Sequence, residues 1–366
     1  MKLLLFSDLH LDAPFVWAGS KAAGRRRQAL RDALVRLAGV AKAVGVQAVL
    51  CAGDLYEHEY FTPDTLAFVR GVFEGLDPIP IYLAPGNHDW YSKQSLYYQL
   101  TGRNIHVFRE SRLEAVSLAD GVTLWGAAHR VPANTDGFLD GFKVDRSGIN
   151  LGLFHGSERG FYKDQGESKQ PHAPFSESQI EVAGLRHVFV GHFHRPKDAV
   201  LYTYAGCPEP LAFGDPPGDG VVITVAADGS ISRERHRVAS GQVHDIECDI
   251  SSIRSRQELL ERLRGELGNL NGIVRVTLAG ELKPEVDLNL DALGDSLADS
   301  LPEVAFSLRV GLLQTAYPLD AIAREQTVKG QFVASVRAAN LPAEEERKIL
   351  ITGLRALEGR TDLEVP

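Results

Sequence analysis

Short apolar runs that each end on a polar cluster recur through the first half of the chain. Lys2 to Phe6 leads into Ser7-Asp8-Leu9-His10, Val46 to Cys51 into Gly53-Asp54-Leu55-Tyr56-Glu57, and Ile79 to Leu83 into Pro85-Gly86-Asn87-His88-Asp89. Ile149 to Phe154 leads into His155-Gly156, and His187 to Val190 into Gly191-His192-Phe193-His194. Runs of this length bounded by Gly, Pro and Asp predict buried strands that end at sharp turns. Between the first two runs the period changes: Leu30, Leu34, Leu37, Ala41 and Val44 recur every three or four residues, which predicts an amphipathic helix over Arg25 to Val44, closed by Gly45. Thr62-Pro63-Asp64 predicts a capped helix start with proline in the first turn, running to about Glu74. Strands alternating with helices predict an α/β sheet flanked by helices, with the polar residues gathered at strand ends.

The pattern then shortens. Ile105 to Phe108, Leu113 to Leu118 and Val122 to Ala127 predict brief strands with a turn at Asp120-Gly121, and 128–148 reads as a loop or lid edge. The polar segment 156–179 is either a surface loop or a lid facing the substrate. Val221 to Ala226 and Ile231 to Arg237 predict a hairpin around Asp228-Gly229 that completes a first domain, residues 1–238. A small α+β domain follows over 239–312: strand Val243 to Ile250, helix Arg256 to Leu267, strand Gly272 to Leu278, acidic helix Leu288 to Leu297 and strand Val304 to Val310. Residues 313–366 predict two helices, Pro318 to Ala338 and Pro342 to Leu357, broken at Asn340-Leu341-Pro342. The first carries an apolar stripe, Ile322, Val328, Phe332 and Val336, that needs a covering surface.

Composition narrows the classes. Of 366 residues, 44% are hydrophobic and 24% charged, and no apolar run approaches the roughly 18 residues of a membrane span, so the expectation is a soluble protein with no membrane partner. The first apolar run is too short for a secretion signal, and Cys51, Cys207 and Cys248 are scattered, giving neither a disulfide framework nor a Cys-x-x-Cys site; both point to the reducing cytoplasm. A net charge of -9 argues against coating nucleic acid through bulk attraction, although a local basic strip could still hold a backbone. Arg25-Arg26-Arg27, at the predicted helix start, reads as a solvated basic turn or as a phosphate contact.

The strand ends carry the chemistry. Asp8, His10, Asp54, Asn87, His155, His192 and His194 make seven oxygen and nitrogen donors with no thiolate. One ion does not need seven, but two ions roughly 3.5–4 Å apart with a shared carboxylate do. Asp54 is the natural bridge, because each of its oxygens can bind a metal. Such donors suit Mn, Fe, Mg or Zn. His88, adjacent to Asn87, is free to act on a leaving group as acid or charge stabiliser, and Asp89 orients His88 or the turn. Among the remaining histidines, His58, His106, His129, His172, His187, His236 and His244, packing is the default; His58, near Asp54, and His129-Arg130, in a loop, are the two that could support the ligands or meet a substrate.

The ordered series Asp8-x-His10, Gly53-Asp54, Gly86-Asn87-His88-Asp89, His155 and Gly191-His192-x-His194 resembles the calcineurin-like metallophosphoesterase superfamily over about residues 1–215. The resemblance implies a two-sheet sandwich flanked by helices and two divalent ions, with Mn favoured. It places Asp8, His10, Asp54 and His194 on one ion and Asp54, Asn87, His155 and His192 on the other. Within the superfamily, Tyr204-Ala205-Gly206-Cys207-Pro208-Glu209-Pro210-Leu211-Ala212-Phe213 is similar to the Tyr-x-Gly-Ser-Pro-x-Pro-Leu-x-Phe signature of SbcD-type DNA-repair exonucleases, with Cys207 in place of serine. That likeness implies a DNA exonuclease or endonuclease, hydrolysing phosphodiesters with a two-metal-activated hydroxide. It also implies a cap domain that selects DNA shape and an SbcC-type coiled-coil ATPase partner at the C-terminal helices, with a homodimer as another association. Some of these nucleases carry a histidine three residues after the bridging aspartate, where this chain has Glu57. The alternatives are a small-molecule phosphodiesterase or phosphatase of the same superfamily, and a non-catalytic module tethering an ATPase to DNA ends.

Overall fold

The structure is a computed structural model that describes every residue except 134, 146, 165–170, 284, 285, 287, 302, 303, 316 and 360–366. Up to Arg237 the elements run β1 (Lys2–Phe6), α1 (Ser20–Val44), β2 (Ala48–Cys51), α2 (Pro63–Glu74), β3 (Ile81–Leu83), α3 (Leu96–Gln99), β4 (Ile105–Val107), β5 (Glu114–Ala119) and β6 (Val122–Gly126). They continue with β7 (Ile149–His155), α4 (Arg159–Asp164), α5 (Glu177–Ala183), β8 (His187–Gly191), β9 (Lys197–Asp198), β10 (Tyr202–Tyr204), β11 (Asp219–Val225) and β12 (Ile231–Arg237). One six-stranded sheet has the order β12-β11-β1-β2-β3-β4 and the other β5-β6-β7-β8-β10-β9.

Parallel pairing brings the polar strand ends together. β1, β2, β3 and β4 are mutually parallel, as are β6, β7, β8 and β10, so their carboxyl ends emerge on one rim of each sheet. The two inner faces share one core, with Leu3, Leu5 and Leu50 from the first sheet beside Leu124, Leu151, Leu153 and Phe189 from the second. The outer face of the first sheet, through Leu4, Phe6 and Val49, is covered by Leu34 and Leu37 of α1 and Phe73 of α2. The outer face of the second is covered by Ile180 and Ala183 of α5 together with Phe138 and Phe175. Strands covered on both faces need apolar side chains at every position, and β1, β2, β7 and β8 accordingly read as runs rather than alternations. Each buried leucine of α1 contributes roughly 1.5–3 kcal/mol by leaving water. α2 starts where the sequence places it: Thr62 caps Thr65 N–H in a reciprocal capping box, an arrangement worth about 1 kcal/mol.

Several expectations need correction. α1 begins at Ser20, so Arg25, Arg26 and Arg27 lie in its second turn rather than at its start. Arg26 is buried there, and the reading of this triplet as a solvated turn does not describe it. β3 begins at Ile81 rather than Ile79. In 156–179 the described parts form α4, a bridge between Glu158 and Phe175, and the start of α5; the tip of the expected lid, 165–170, lies outside the described residues. β9 and β10 were not expected, because two or three residues are too few to show a period.

The chain divides into two compact units, Met1–Val16 with Ala23–Val243, and Trp17–Ala22 with His244–Pro366. From Gln242 onward the elements are β13 (Gln242–Asp249), α6 (Arg256–Leu267), β14 (Gly272–Leu282), α7 (Leu290–Ala298), β15 (Val304–Thr315), α8 (Leu319–Ile322), α9 (Val328–Ala338) and α10 (Ala343–Leu357). The sheet has the order β13-β14-β15 and packs Val274, Val276 and Leu278 against Leu259, Leu263, Leu293 and Leu297 of α6 and α7. Residues 313–366 fall in the same unit as 244–312 and carry a hydrophobic cluster of their own, Tyr317, Ile322, Val333, Leu350 and Leu354. The single helix expected over Pro318 to Ala338 is two, because Thr327 caps a fresh start for α9. Of the apolar stripe, Ile322 is buried, Phe332 and Val336 pack at the edge of that cluster, and Val328 is 69% exposed. Among the described residues no helix is long and apolar enough to cross a membrane.

Candidate metal centre

Four of the seven donors leave a strand end on backbone that ordinary side chains avoid. Asp8, His10, Asp54 and His192 have φ of 54, 50, 53 and 113°, a strained setting that the surrounding turns must impose. Glycine makes the crowding tolerable at two places. A Cβ on Gly53 would stand 2.6 Å from His155 Nδ1, and one on Gly86 would strike the Asp54 carboxylate.

All seven predicted donors come together. Asp8, His10 and His194 form one group, and Asp8, Asp54 and His155 another, with donor atoms in each within 4.8 Å. Asn87 Oδ1 lies 3.0 Å from His155 Nε2, and Asp54 Oδ2 lies 3.1 Å from the same nitrogen and 3.7 Å from His10 Nε2. Asp54 therefore reaches toward both groups. The His192 N–H donates to Asp8 Oδ1 at 3.0 Å, and its ring packs 5.2 Å from that of His155.

The tautomers reveal what the cluster is built for. His155 Nδ1 donates to the carbonyl of Ala52 at 2.9 Å, so its Nε2 lone pair points at the oxygens of Asp54 and Asn87. His10 Nδ1 lies 2.7 Å from Glu57 Oε1 and donates to it, leaving a buried Nε2 without a hydrogen-bond partner. Lone pairs facing one another need a proton or a metal ion between them. With a proton there, burial would lower the His155 pKa, but Asp54 outweighs it and raises it to about 9. Burial likewise pushes Asp54 up, and His155, His88 and His10 more than reverse this, holding the carboxyl well below its usual range. An orphaned buried imidazole nitrogen and opposed acceptors fit a cation, and carboxylate, amide and imidazole without thiolate fit a hard or borderline one.

His88 stands at the edge of this cluster with its side chain 46% exposed. Its N–H donates to Asp54 Oδ1 at 2.9 Å, and its Nδ1 lies 3.0 Å from Glu57 Oε2. Burial lowers its pKa, and Asp54 and Glu57 overcome that and raise it to about 9. Glu57 is the counterpart: burial raises it, while the hydrogen bonds from His10 and His88 bring it down to about 2.

Sequence reasoning sets Glu57 aside for not being histidine. The signal is its place in the Gly53-to-Glu57 turn, which returns it to the rim three residues after Asp54. Asp215 also escapes it: its Oδ2 lies 3.4 Å from His194 Nδ1 and accepts the N–H groups of Leu211 and Ala212. No local pattern announces it. Asp89 takes the second of its two expected roles, holding the turns by accepting from Asp54, Leu55 and Gly86 N–H and from Tyr97 Oη, and it makes no hydrogen bond to the His88 ring. Burial, with Asp54 beside it, raises its pKa to about 6. Arg25, Arg26 and Arg27 are not among these groups: Arg26 pairs with buried Glu209 at 2.7 Å, and Arg27 reaches the carbonyl of Pro14 at 3.5 Å.

Residues 1–196 match the family described as calcineurin-like phosphoesterase. The chain belongs to that family. It is a metallophosphoesterase, and the family uses a dimetal centre, for which the donors above are the candidate ligands. Among solved structures the chain is similar to a protein of Thermus thermophilus at 14% identity and TM-score 0.42, covering 65% of this chain and 98% of that one. It is similar to a dimetal phosphatase from Danio rerio at 10% identity and TM-score 0.41, covering 65% and 96%. Yfce, a phosphoesterase from E. coli, matches at 14% identity and TM-score 0.29, covering 64% and 98%. No curated protein matches the sequence.

Proposed function

We propose that this phosphoesterase is a Mn-dependent DNA nuclease of the DNA-repair type acting in the cytoplasm, and that His88 protonates the leaving oxygen. The observation that carries the hydrolytic reading is the part-exposed His88 at the edge of the donor cluster, its N–H on Asp54 and its ring on Glu57. Two divalent ions, one on Asp8, His10, Asp54 and His194 and one on Asp54, Asn87, His155 and His192, would supply Lewis-acid activation of the phosphoryl group and of water. The chain does the rest. Glu57 accepts from His88 Nδ1 and favours the imidazolium, whose Nε2–H would be the proton for a departing oxygen. The Asp54 carboxylate fixes the base of His88 through its N–H. Asp215 orients His194, and Ala52 orients His155, so that neither imidazole can turn away.

DNA as substrate is supported by the likeness of Tyr204 to Phe213 to the SbcD-type signature, and by the second unit, whose separate core suits a cap. An SbcC-type coiled-coil ATPase at the C-terminal helices is part of the same reading, as is a homodimer. Val328, Ile349 and Leu357 are exposed there. A second reading, a small-molecule phosphodiesterase or phosphatase, is favoured by Glu57 at the position where some nucleases carry histidine, and by the net charge of -9.

The test is purified protein with Mn offered labelled single-stranded and duplex DNA beside an aryl phosphodiester and an aryl phosphomonoester. Metal-dependent DNA cleavage is expected, falling by about 10²–10⁴-fold in His88→Ala with metal content unchanged. Hydrolysis of the monoester alone would overturn the nuclease reading. Loss of metal in step with activity would overturn the role of His88.

A further inference from the structure

Three residues past His88, two arginines share one aromatic ring. Arg109 Cζ lies 5.8 Å and Arg130 Cζ 5.5 Å from the ring centroid of Tyr91. Arg130 is fixed there, its Nη1 donating to the carbonyl of Arg109 at 3.0 Å and lying 3.5 Å from Glu110 Oε2. The platform hangs on the strand ends of the metal centre. The Tyr91 N–H donates to the carbonyl of His129 at 2.8 Å, and the His129 N–H donates to that of Pro85 at 2.9 Å. The buried His129 ring donates through Nε2 to the carbonyl of His155 at 2.8 Å. At 3.8 Å per residue, the Tyr91 Cα is at most about 11 Å from that of His88.

The charges around this ring do not cancel. Both arginines are exposed, and the Arg130 side chain keeps 44% of its surface in water. An exposed cation–π contact contributes about 0.5–1 kcal/mol, and an exposed ion pair such as Arg130 with Glu110 about as little. Neither removes the need of two neighbouring guanidiniums for an anion, and the planar fork of arginine matches phosphate oxygens. In a chain with a net charge of -9, such a pair beside a phosphoester-cleaving centre is a local exception.

We infer that Tyr91, Arg109 and Arg130 form a subsite for a second phosphate of the substrate, next to the phosphate that is cleaved and on the His88 side. The inference rests on the phosphoester-hydrolase reading and adds what the site selects for: substrates carrying two phosphates on one nucleoside, as in a nucleic-acid strand.

The probes are thymidine 5′-monophosphate and thymidine 3′,5′-bisphosphate, titrated calorimetrically into the metal-loaded full-length protein. For kcat and KM the dinucleotides TpT and pTpT are compared, since on cleavage of the P–O3′ bond the departing nucleoside of pTpT carries the second phosphate. The bisphosphate should bind about tenfold more tightly, and the preference should collapse toward one in the double variant Arg109→Ala/Arg130→Ala, chiefly through KM. Arg130→Lys, which keeps the charge and loses the fork, should fall between. The salt dependence of bisphosphate binding should also flatten in the double variant. A wild-type ratio near one, or an unchanged ratio in the double variant, overturns the subsite. If the ratio behaves as expected while DNA is not cleaved, the subsite stands and the nuclease reading fails. If DNA is cleaved and the ratio does not move, the reverse holds.

Discussion

Glu209 and Asp54 are both buried carboxylates in the first unit, yet their surroundings follow opposite rules. Every oxygen of Glu209 meets a donor: Oε1 accepts from Arg26 at 2.7 Å and from Gly241 N–H at 3.2 Å, and Oε2 from Ser240 N–H at 2.7 Å and Ser240 Oγ at 3.2 Å. Asp54 meets one donor, the His88 N–H, and turns its other oxygen toward His155 Nε2 and His10 Nε2, nitrogens whose protons are committed elsewhere only at Nδ1. A buried charge that the protein itself satisfies joins chain segments, here α1 to the loop after β10 and to residues 240–241. A buried charge aimed at lone pairs waits for a cation. The difference separates structural from functional carboxylates without reference to any relative.

The sharpest way to break that contrast is to neutralise each carboxylate. Asp54→Asn should lower hydrolysis on the order of a thousandfold, because charge stabilisation at the reacting phosphoryl group depends on both metals being held. Metal analysis should show a larger loss of bound ion than in Asp8→Asn, since the proposed ligand split gives Asp54 to both ions and Asp8 to one. Equal losses in the two variants would end its role as a bridge.

Glu209→Gln should behave in the opposite sense. Leaving Arg26 as an uncompensated buried cation costs about 3 kcal/mol, so heat or denaturant unfolding should come earlier. The folded protein should still bind its metals in full. Metal loss without destabilisation would show that Glu209 belongs with Asp54 after all.

His187 offers a smaller test, because it is a buried titratable group satisfied in its neutral form. Its Nδ1 donates to the carbonyl of Val200 at 3.2 Å, and Nε2 accepts from Thr203 Oγ1 at 2.9 Å. Burial, and then Arg233, lower its pKa to about 3. In the unfolded chain a histidine takes up its proton near pH 6.5. Its contribution to stability is therefore complete above about pH 6.5 and is lost as pH falls from there toward 3, reaching about 2 kcal/mol at pH 5. His187→Gln should flatten the fall in stability between pH 6.5 and 5 relative to the unmutated chain. Parallel curves would mean that His187 is not held neutral.

The sequence carried the donors more fully than the fold that gathers them. A buried strand must be apolar along its length, and the turn after it must tolerate unusual backbone, so Asp8, His10, Asp54, Asn87, His155, His192 and His194 stood out as polar residues at the ends of apolar runs. Helices with a clear period, such as α6 and α10, were legible within a residue or two. The two-residue β9 and three-residue β10 were not, nor was the break between α8 and α9, because elements so short are decided by what packs on them.

What the tertiary structure alone decided is which side chains serve the donors. Glu57 became the shared partner of His10 and His88, Asp215 that of His194, and Arg26 left the surface for Glu209. Sequence records the type of each group and its neighbours along the chain. Partnership between Asp215 and His194, or between Arg26 and Glu209, 183 positions apart, exists only once parallel strands and a covering helix have brought those positions within hydrogen-bonding distance. Hydrogen bonds depend on position and direction in space, and neither follows from spacing along the chain.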